Sequence, residues 1–195
     1  MTLRTTRTTR TRLGVALVAA AAAGALAVSA SPASANASDG YVSGAGSFYD
    51  DFGDEGTLST SSHSSSNATC LWQIILLAEG ANESDGSDYD AADIDGEFGP
   101  NTKVATQSLQ RTWGLGVDGI VGTQTFGAAD EQWNSSTGAG ELEHVSTGTT
   151  ADTKYKLRYH GSKYYFDFYR TESGRYRFYH NGAWHYASYS SNTCS

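Results

Sequence analysis

The chain has 195 residues, with 13 Lys and Arg against 21 Asp and Glu and two cysteines, which bounds it to one or two small domains and excludes a disulfide-rich scaffold. Its net charge of −8 is unevenly placed: residues 38–151 hold 18 acids and two bases, Lys103 and Arg111, whereas residues 152–195 hold three acids and seven bases. The acidic part excludes nucleic acid and anionic lipid surfaces as its partners.

Residues 1–37 read as a secretory signal peptide. No acid precedes Asp39, the charges are Arg4, Arg7, Arg10 and Arg12, and an Ala/Val/Leu run from Leu13 to Val28 leads into small residues. Ala33-Ser34-Ala35 and Ala35-Asn36-Ala37 both fit a cleavage site. The apolar run is too short and too Ala-rich for a good membrane span. The expectation is a secreted, extracellular or wall-associated protein with no membrane partner.

Residues 38–69 are rich in Ser, Gly and Asp, with six Ser between Ser59 and Ser66. Such a segment offers little apolar surface to offset its chain entropy and reads as a disordered leader. Tyr41, Phe48, Tyr49 and Phe52 are its only aromatics. Residues 70–128 are patterned. Leu71 to Ala78 (LWQIILLA) fits a helix, and Gly99-Pro100 opens a second one with Val104, Ala105 and Leu109 at helical spacing. Thr123 to Ala128 fits a third, short helix. Glu79 to Glu97 carries eight carboxylates with almost no apolar anchor.

Residues 129–151 are again Ser, Gly, Thr and Glu and read as a linker. From residue 152 the period changes to two. Tyr155, Leu157 and Tyr159 alternate with Lys154, Lys156 and Arg158, and three more such segments follow, separated by turn residues. The segment 152–195 holds 13 of the chain's 23 aromatic residues. It reads as a four-stranded antiparallel β meander whose last hairpin turns at Asn181-Gly182. That turn sets Tyr179 opposite Trp184 and Arg177 opposite Tyr186 on one face, leaving Tyr176, Phe178 and His185 on the other. Arg177, Tyr179, Trp184 and Tyr186 are therefore a candidate sugar-stacking face; packing alone is the alternative.

One motif occurs twice. Asp95-Gly96-Glu97-Phe98-Gly99-Pro100-Asn101-Thr102 recurs 23 residues later as Asp118-Gly119-Ile120-Val121-Gly122-Thr123-Gln124-Thr125. In the shared pattern D-G-x-[FV]-G-x-x-T, Asp accepts backbone hydrogen bonds, the first Gly permits a positive φ, and the apolar residue returns to the core. Together with Trp72-Gln73 and Leu76, then Leu109-Gln110, Gly114-Leu115 and Val117, the block resembles the peptidoglycan-binding domain of bacterial and phage cell-wall hydrolases. The resemblance covers about residues 70–128. It departs from the family at Trp72, at Leu109 and in the acidic segment before Asp95. It implies a small three-helix bundle that holds a protein on the wall without chemistry, so the expected fold is α+β, the bundle preceding the meander. Asp95, Gly96, Phe98, Gly99, Thr102, Asp118, Gly119, Val121, Gly122 and Thr125 are the candidate ligand-binding residues, with a purely turn-shaping role as the alternative.

No catalytic set emerges. His160 and Asp167, followed by Trp184-His185, resemble the pattern of zinc D,D-peptidases of the wall, but Lys163, Arg158 and Gly182 occupy positions where that pattern needs Gly, Ser and an acid. Asp88, Asp90, Asp93 and Asp95 lack EF-hand spacing. No metal site and no cofactor are expected. In an oxidising compartment Cys70 and Cys194 are expected to form one intramolecular disulfide, against free thiols or a linked dimer. The sequence thus points to a secreted, monomeric, non-catalytic protein that binds peptidoglycan or a related wall glycan. The alternatives are an effector or inhibitor whose basic β module binds another protein, and a wall hydrolase with an unfamiliar site.

Overall fold

Ser66 begins helix α1 (Asn67–Glu79): its backbone is extended and its hydroxyl oxygen accepts from the amide of Thr69 at 3.0 Å. Gly80, with φ 65°, ends the helix in the left-handed region. Between these caps the sequence has no polar stripe. Cys70, Leu71, Trp72, Ile75 and Leu76 are all at most 1% exposed, as suits a helix at the centre of a fold. The computed structural model describes residues 39–132 and 141–195; the expectations for residues 1–37 and 133–140 lie outside them. Helix α2 (Pro100–Thr112) starts at Pro100 as anticipated, and α3 (Thr123–Gly127) starts within the second copy of the motif. Val104 is only partly buried; α2 instead buries Thr102, Ala105, Thr106, Leu109 and Gln110. Its polar members are not orphaned, since Thr106 accepts from the Trp72 indole at 2.9 Å and Thr102 bonds to Tyr89 at 3.1 Å.

The described strands form one sheet in sequence order, β1 (Glu131–Gln132), β2 (Glu141–Thr150), β3 (Thr153–His160), β4 (Tyr165–Arg170), β5 (Tyr176–His180) and β6 (Ala183–Tyr186). The strands β2 to β6 are antiparallel, and β1 lies parallel to β2 at the edge. The fold is therefore α+β with five antiparallel strands, not four. The additional strand, β2, lies in the segment read as a linker. Its side chains from His144 onward are mostly exposed and Leu142 is its buried apolar anchor, so alternation gave no signal. Pairing to β3, interrupted by register shifts, defines it. The final hairpin has the expected register, Arg177 opposite Tyr186 and Tyr179 opposite Trp184, with Asn181 (φ 46°) and Gly182 (φ 80°) in the turn.

The supposed disordered leader is built into the fold. Val42 donates to the carbonyl of Ala187 and accepts from Tyr176, so this segment runs beside the ends of β5 and β6. Leu58 exchanges two 3.0 Å backbone bonds with Val121, and Phe98 donates to Ser64, which ties the leader to both copies of the motif. Phe52, fully buried, joins the two halves. Its ring lies 5.2 Å from Phe126 of α3 and 5.1 Å from Tyr176 of β5. Composition missed this because three buried apolar side chains, Val42, Phe52 and Leu58, together with buried polar ones such as Asp51 and Glu55 and main-chain pairing suffice where a partner surface already exists. The described residues accordingly lie within a single unit, rather than a helical domain tethered to a β module. The turn between β3 and β4 docks on the end of α1, with the amides of Lys163 and Tyr164 both donating to the carbonyl of Ala78. Beside it Tyr159 donates to Glu79 at 2.7 Å.

Two of the carboxyls that tie the leader to the rest of the fold stay protonated well above their ordinary range. Burial pushes Glu55, which accepts from Tyr189, up to about 7. Burial also pushes Asp130, which accepts from the amide of Phe52, up to about 7. Between the ordinary carboxylate range and about pH 7 the folded chain therefore holds protons that the unfolded chain has released. Stability falls as pH rises through that window and returns on acidification. The thermal midpoint is expected to be several degrees higher at pH 5 than at pH 8. Glu55→Gln should flatten the profile by raising the midpoint at pH 8; a midpoint that climbs steadily from pH 5 to 8 would refute this.

Candidate functional site

The two copies of D-G-x-[FV]-G-x-x-T have the same construction, each closed by a glutamine from the preceding helix. In the first, the Gln73 carbonyl oxygen accepts from the amides of Asp95 and Gly96 at 3.1 and 2.7 Å. Its NH2 donates to Asp95 Oδ1, the Glu97 carbonyl and Thr102 Oγ1 at 2.9, 3.1 and 3.2 Å. In the second, Gln110 accepts from Asp118 and Gly119 at 3.1 and 2.9 Å and donates to Asp118 Oδ1, the Ile120 carbonyl and Thr125 Oγ1 at 2.8, 2.9 and 3.0 Å. Asp95 and Asp118 also accept from the amides of Glu97 and Ile120, both at 2.8 Å. These bonds hold the Asp118 carboxyl below its usual range, the Ile120 amide first among them. Gly96 and Gly119 have φ 75° and 73°, a backbone that other residues adopt at a cost. Phe98 and Val121 enter the core at 2% and 0% exposure.

The Asp, first Gly, apolar residue and Thr of each copy thus have a place in the turn, and Gln73 and Gln110 are what the motif acts upon. Their role was hidden because they stand at different distances from the two turns; the shared signal is an apolar-Gln pair, Trp72-Gln73 and Leu109-Gln110, in the helix before each.

The surroundings of the two turns differ. The first is covered: Ser65 bridges Glu97, and the Asn192 amide donates to the Asp95 carbonyl and to Glu97 Oε1 at 3.1 and 2.9 Å. The second opens onto a cleft of about 220 Å³ lined by Leu115, Gly116, Asp118, Ile120, Thr123 and Gln124 among others. This cleft shares Leu115, Gly116, Thr123 and Gln124 with a shallower one of about 640 Å³ that reaches Ala128 and Glu131. Val117 and Ile120 stand exposed nearby. The surface combines apolar side chains, hydroxyl and amide groups, and one carboxylate fixed in its ionised form.

The second candidate site, the sheet face, also has the expected membership. Arg177, Tyr179, Trp184 and Tyr186 point outward, while Tyr176, Phe178 and His185 are buried. The rings do not form a flat plate. Tyr169 and Tyr179 meet Trp184 edge to face, at 75° and 66°. Cross-strand register adds Tyr169 from β4, opposite Arg177, and Lys156 from β3, opposite Tyr169. Both were missed because neither the turn between β3 and β4 nor that between β4 and β5 has a register that its sequence prescribes.

The residues recalling a peptidase pattern do not converge. His160 contacts Glu143 at 2.8 Å and Asp167 binds Lys156 and Arg158, both at 2.7 Å. His185 is on the buried face, bonded to Thr193 at 2.8 Å. Asp88, Asp90, Asp93 and Asp95 are each engaged locally, Asp88 with Lys163, Asp90 and Asp93 in a capping box and Asp95 with Gln73. Among the described residues one group of three potential metal ligands is found, Cys70, Cys194 and His180, but the two sulfurs are bonded to each other in the expected disulfide.

Residues 85–128 match the family described as putative peptidoglycan binding domain. The chain is 58% identical over 33 residues to a zinc D-Ala-D-Ala carboxypeptidase of Streptomyces albus G, a match covering 17% of this chain and 13% of that protein. It is 45% identical over 49 residues to an uncharacterized protein in the bpoA1 3′ region of Kitasatospora aureofaciens, covering 25% of this chain and 42% of the other. The chain thus spans less than half the length of these curated relatives. No solved structure matches it. A peptidoglycan-binding domain and a disulfide fit an extracellular or wall location, and no helix among the described residues is long and apolar enough to cross a membrane.

Proposed function

We propose that this is a secreted, monomeric, non-catalytic protein that binds cell-wall peptidoglycan through the cleft beside its second turn. The observation that carries the reading is the asymmetry of two otherwise equivalent turns within one family-matching segment: the first is covered by the chain itself and the second lies open beside Leu115, Ile120 and Gln124. The signal-like residues 1–37 and the disulfide support export. The cleft is shallow and none of the described residues lining it is aromatic, so micromolar or weaker affinity is expected.

The whole protein is expected to co-sediment with purified sacculi, and Ile120→Asp, which places a charge at the cleft mouth, should release it to the supernatant. Sacculi incubated with the protein, with or without Zn²⁺, should shed no muropeptides. Failure of the wild-type protein to sediment with sacculi from several bacteria would end the wall-binding reading. Muropeptide release lost in His160→Ala would replace it with a hydrolase.

A further inference from the structure

The outward face of the sheet has features that packing does not account for. Tyr165, Tyr179, Trp184 and Tyr186 are 65, 56, 46 and 38% exposed on it. Large rings gathered on one face mark a surface that meets something. Tyr179 and Trp184 touch, with ring centres 5.4 Å apart, but the remaining rings are set apart from one another. Charged side chains alternate with rings along the sheet, so that one row across it reads Lys156, Tyr169, Arg177, Tyr186. Alternating rings and polar groups suit a ligand with apolar faces and hydroxyl-rich edges, as a pyranose ring has.

The charges specify the ligand further. Lys156 and Arg158 share Asp167. Arg177 has no carboxylate partner among the described residues. Its guanidinium instead lies 4.4 Å from the Trp184 ring centre and 6.0 Å from that of Tyr186. An arginine held between rings and left without a counter-ion, on the basic part of a strongly acidic protein, is placed for an anionic group.

We propose that this face is a second glycan site, centred on Trp184 and Arg177, that takes a peptidoglycan strand: an amino-sugar ring packs in the angle between the Tyr179 and Trp184 rings, and a stem-peptide carboxylate reaches Arg177. The assignment rests on the wall-binding reading for its choice of glycan, but uses none of the cleft residues. Two weak sites on one rigid unit, meeting a polymer of repeating units, give avidity that neither has alone.

The test is a titration of the whole protein with soluble, peptide-bearing peptidoglycan strands, and with the same strands after amidation of their carboxyls. Trp184→Ala with Tyr179→Ala is expected to weaken binding roughly ten-fold or more, while Trp184→Tyr, which keeps a ring, stays near wild type. Arg177→Gln should weaken binding to native strands several-fold and leave binding to amidated strands unchanged. Circular dichroism of each variant separates loss of site from loss of fold. If the doubly substituted, folded protein titrates like wild type, the sheet site is refuted, whatever Ile120→Asp does. If the sheet variants weaken binding and Ile120→Asp does not, the sheet site stands and the cleft assignment falls.

Discussion

Replacing Gln110 by alanine is expected to destabilise the protein by roughly 3–5 kcal/mol, far more than the loss of a typical surface amide. The substitution removes five hydrogen bonds at once. The groups left behind include the Gly119 amide and Thr125, both in buried residues, and a buried donor or acceptor without a partner costs about 1–3 kcal/mol. Gln73→Ala should behave alike, since its side chain makes the same pattern of bonds. Gln110→Glu sharpens the test. It keeps the oxygen that accepts from Asp118 and Gly119 but sets a carboxylate against Asp118 Oδ1. Like-charge contact raises the introduced group's pKa in the fold, so the cost is present at neutral pH and is relieved as pH falls through that raised value. Urea melts at pH 5 and 8 decide the matter. Equal, small losses for alanine and glutamate would mean that the turns hold themselves without the glutamines.

Reduction of the Cys70–Cys194 disulfide is expected to cost about 4–5 kcal/mol by loop-closure entropy, because the bond joins residues 124 apart in sequence. It fastens the C-terminal segment to the first turn of α1. There the carbonyls of Ser191 and Ser188 accept from the amides of Asn67 and Ala68, two donors that a helix start leaves without intrahelical partners. Asn67 in turn accepts from Thr193 at 2.8 Å. Denaturation with and without a phosphine reductant measures the loss, and the double replacement of both cysteines by alanine should reproduce it. Mass spectrometry of the native protein should find a monomer two mass units lighter than the reduced chain. A melting curve indifferent to reductant would show that these hydrogen bonds alone hold the C-terminus.

Periodicity and turn chemistry were enough to place the helices near their observed positions, because the apolar run Leu71 to Ala78 and the Gly99-Pro100 start act on their own neighbours. The same holds for the last hairpin. Asn181-Gly182 prescribes its register locally, and that register sorts Arg177, Tyr179, Trp184 and Tyr186 from Tyr176, Phe178 and His185. The doubled motif was legible for the same reason: its glycines and aspartates answer to backbone geometry within a few residues.

Three things depended on tertiary structure. The leader looked too polar to order, yet the main chain beside Leu58, Ser64 and Val42 finds partners in the motif copies and in β5 and β6. The strand β2 carries one buried apolar anchor, Leu142, so only its pairing with β3 reveals it. The difference between the two turns is invisible in their shared pattern. It arises because Ser65 and Asn192, distant in sequence and brought together partly by the disulfide, cover the first and leave the second open. Local geometry is written in consecutive residues, whereas what covers a surface depends on segments that meet only once the chain has folded.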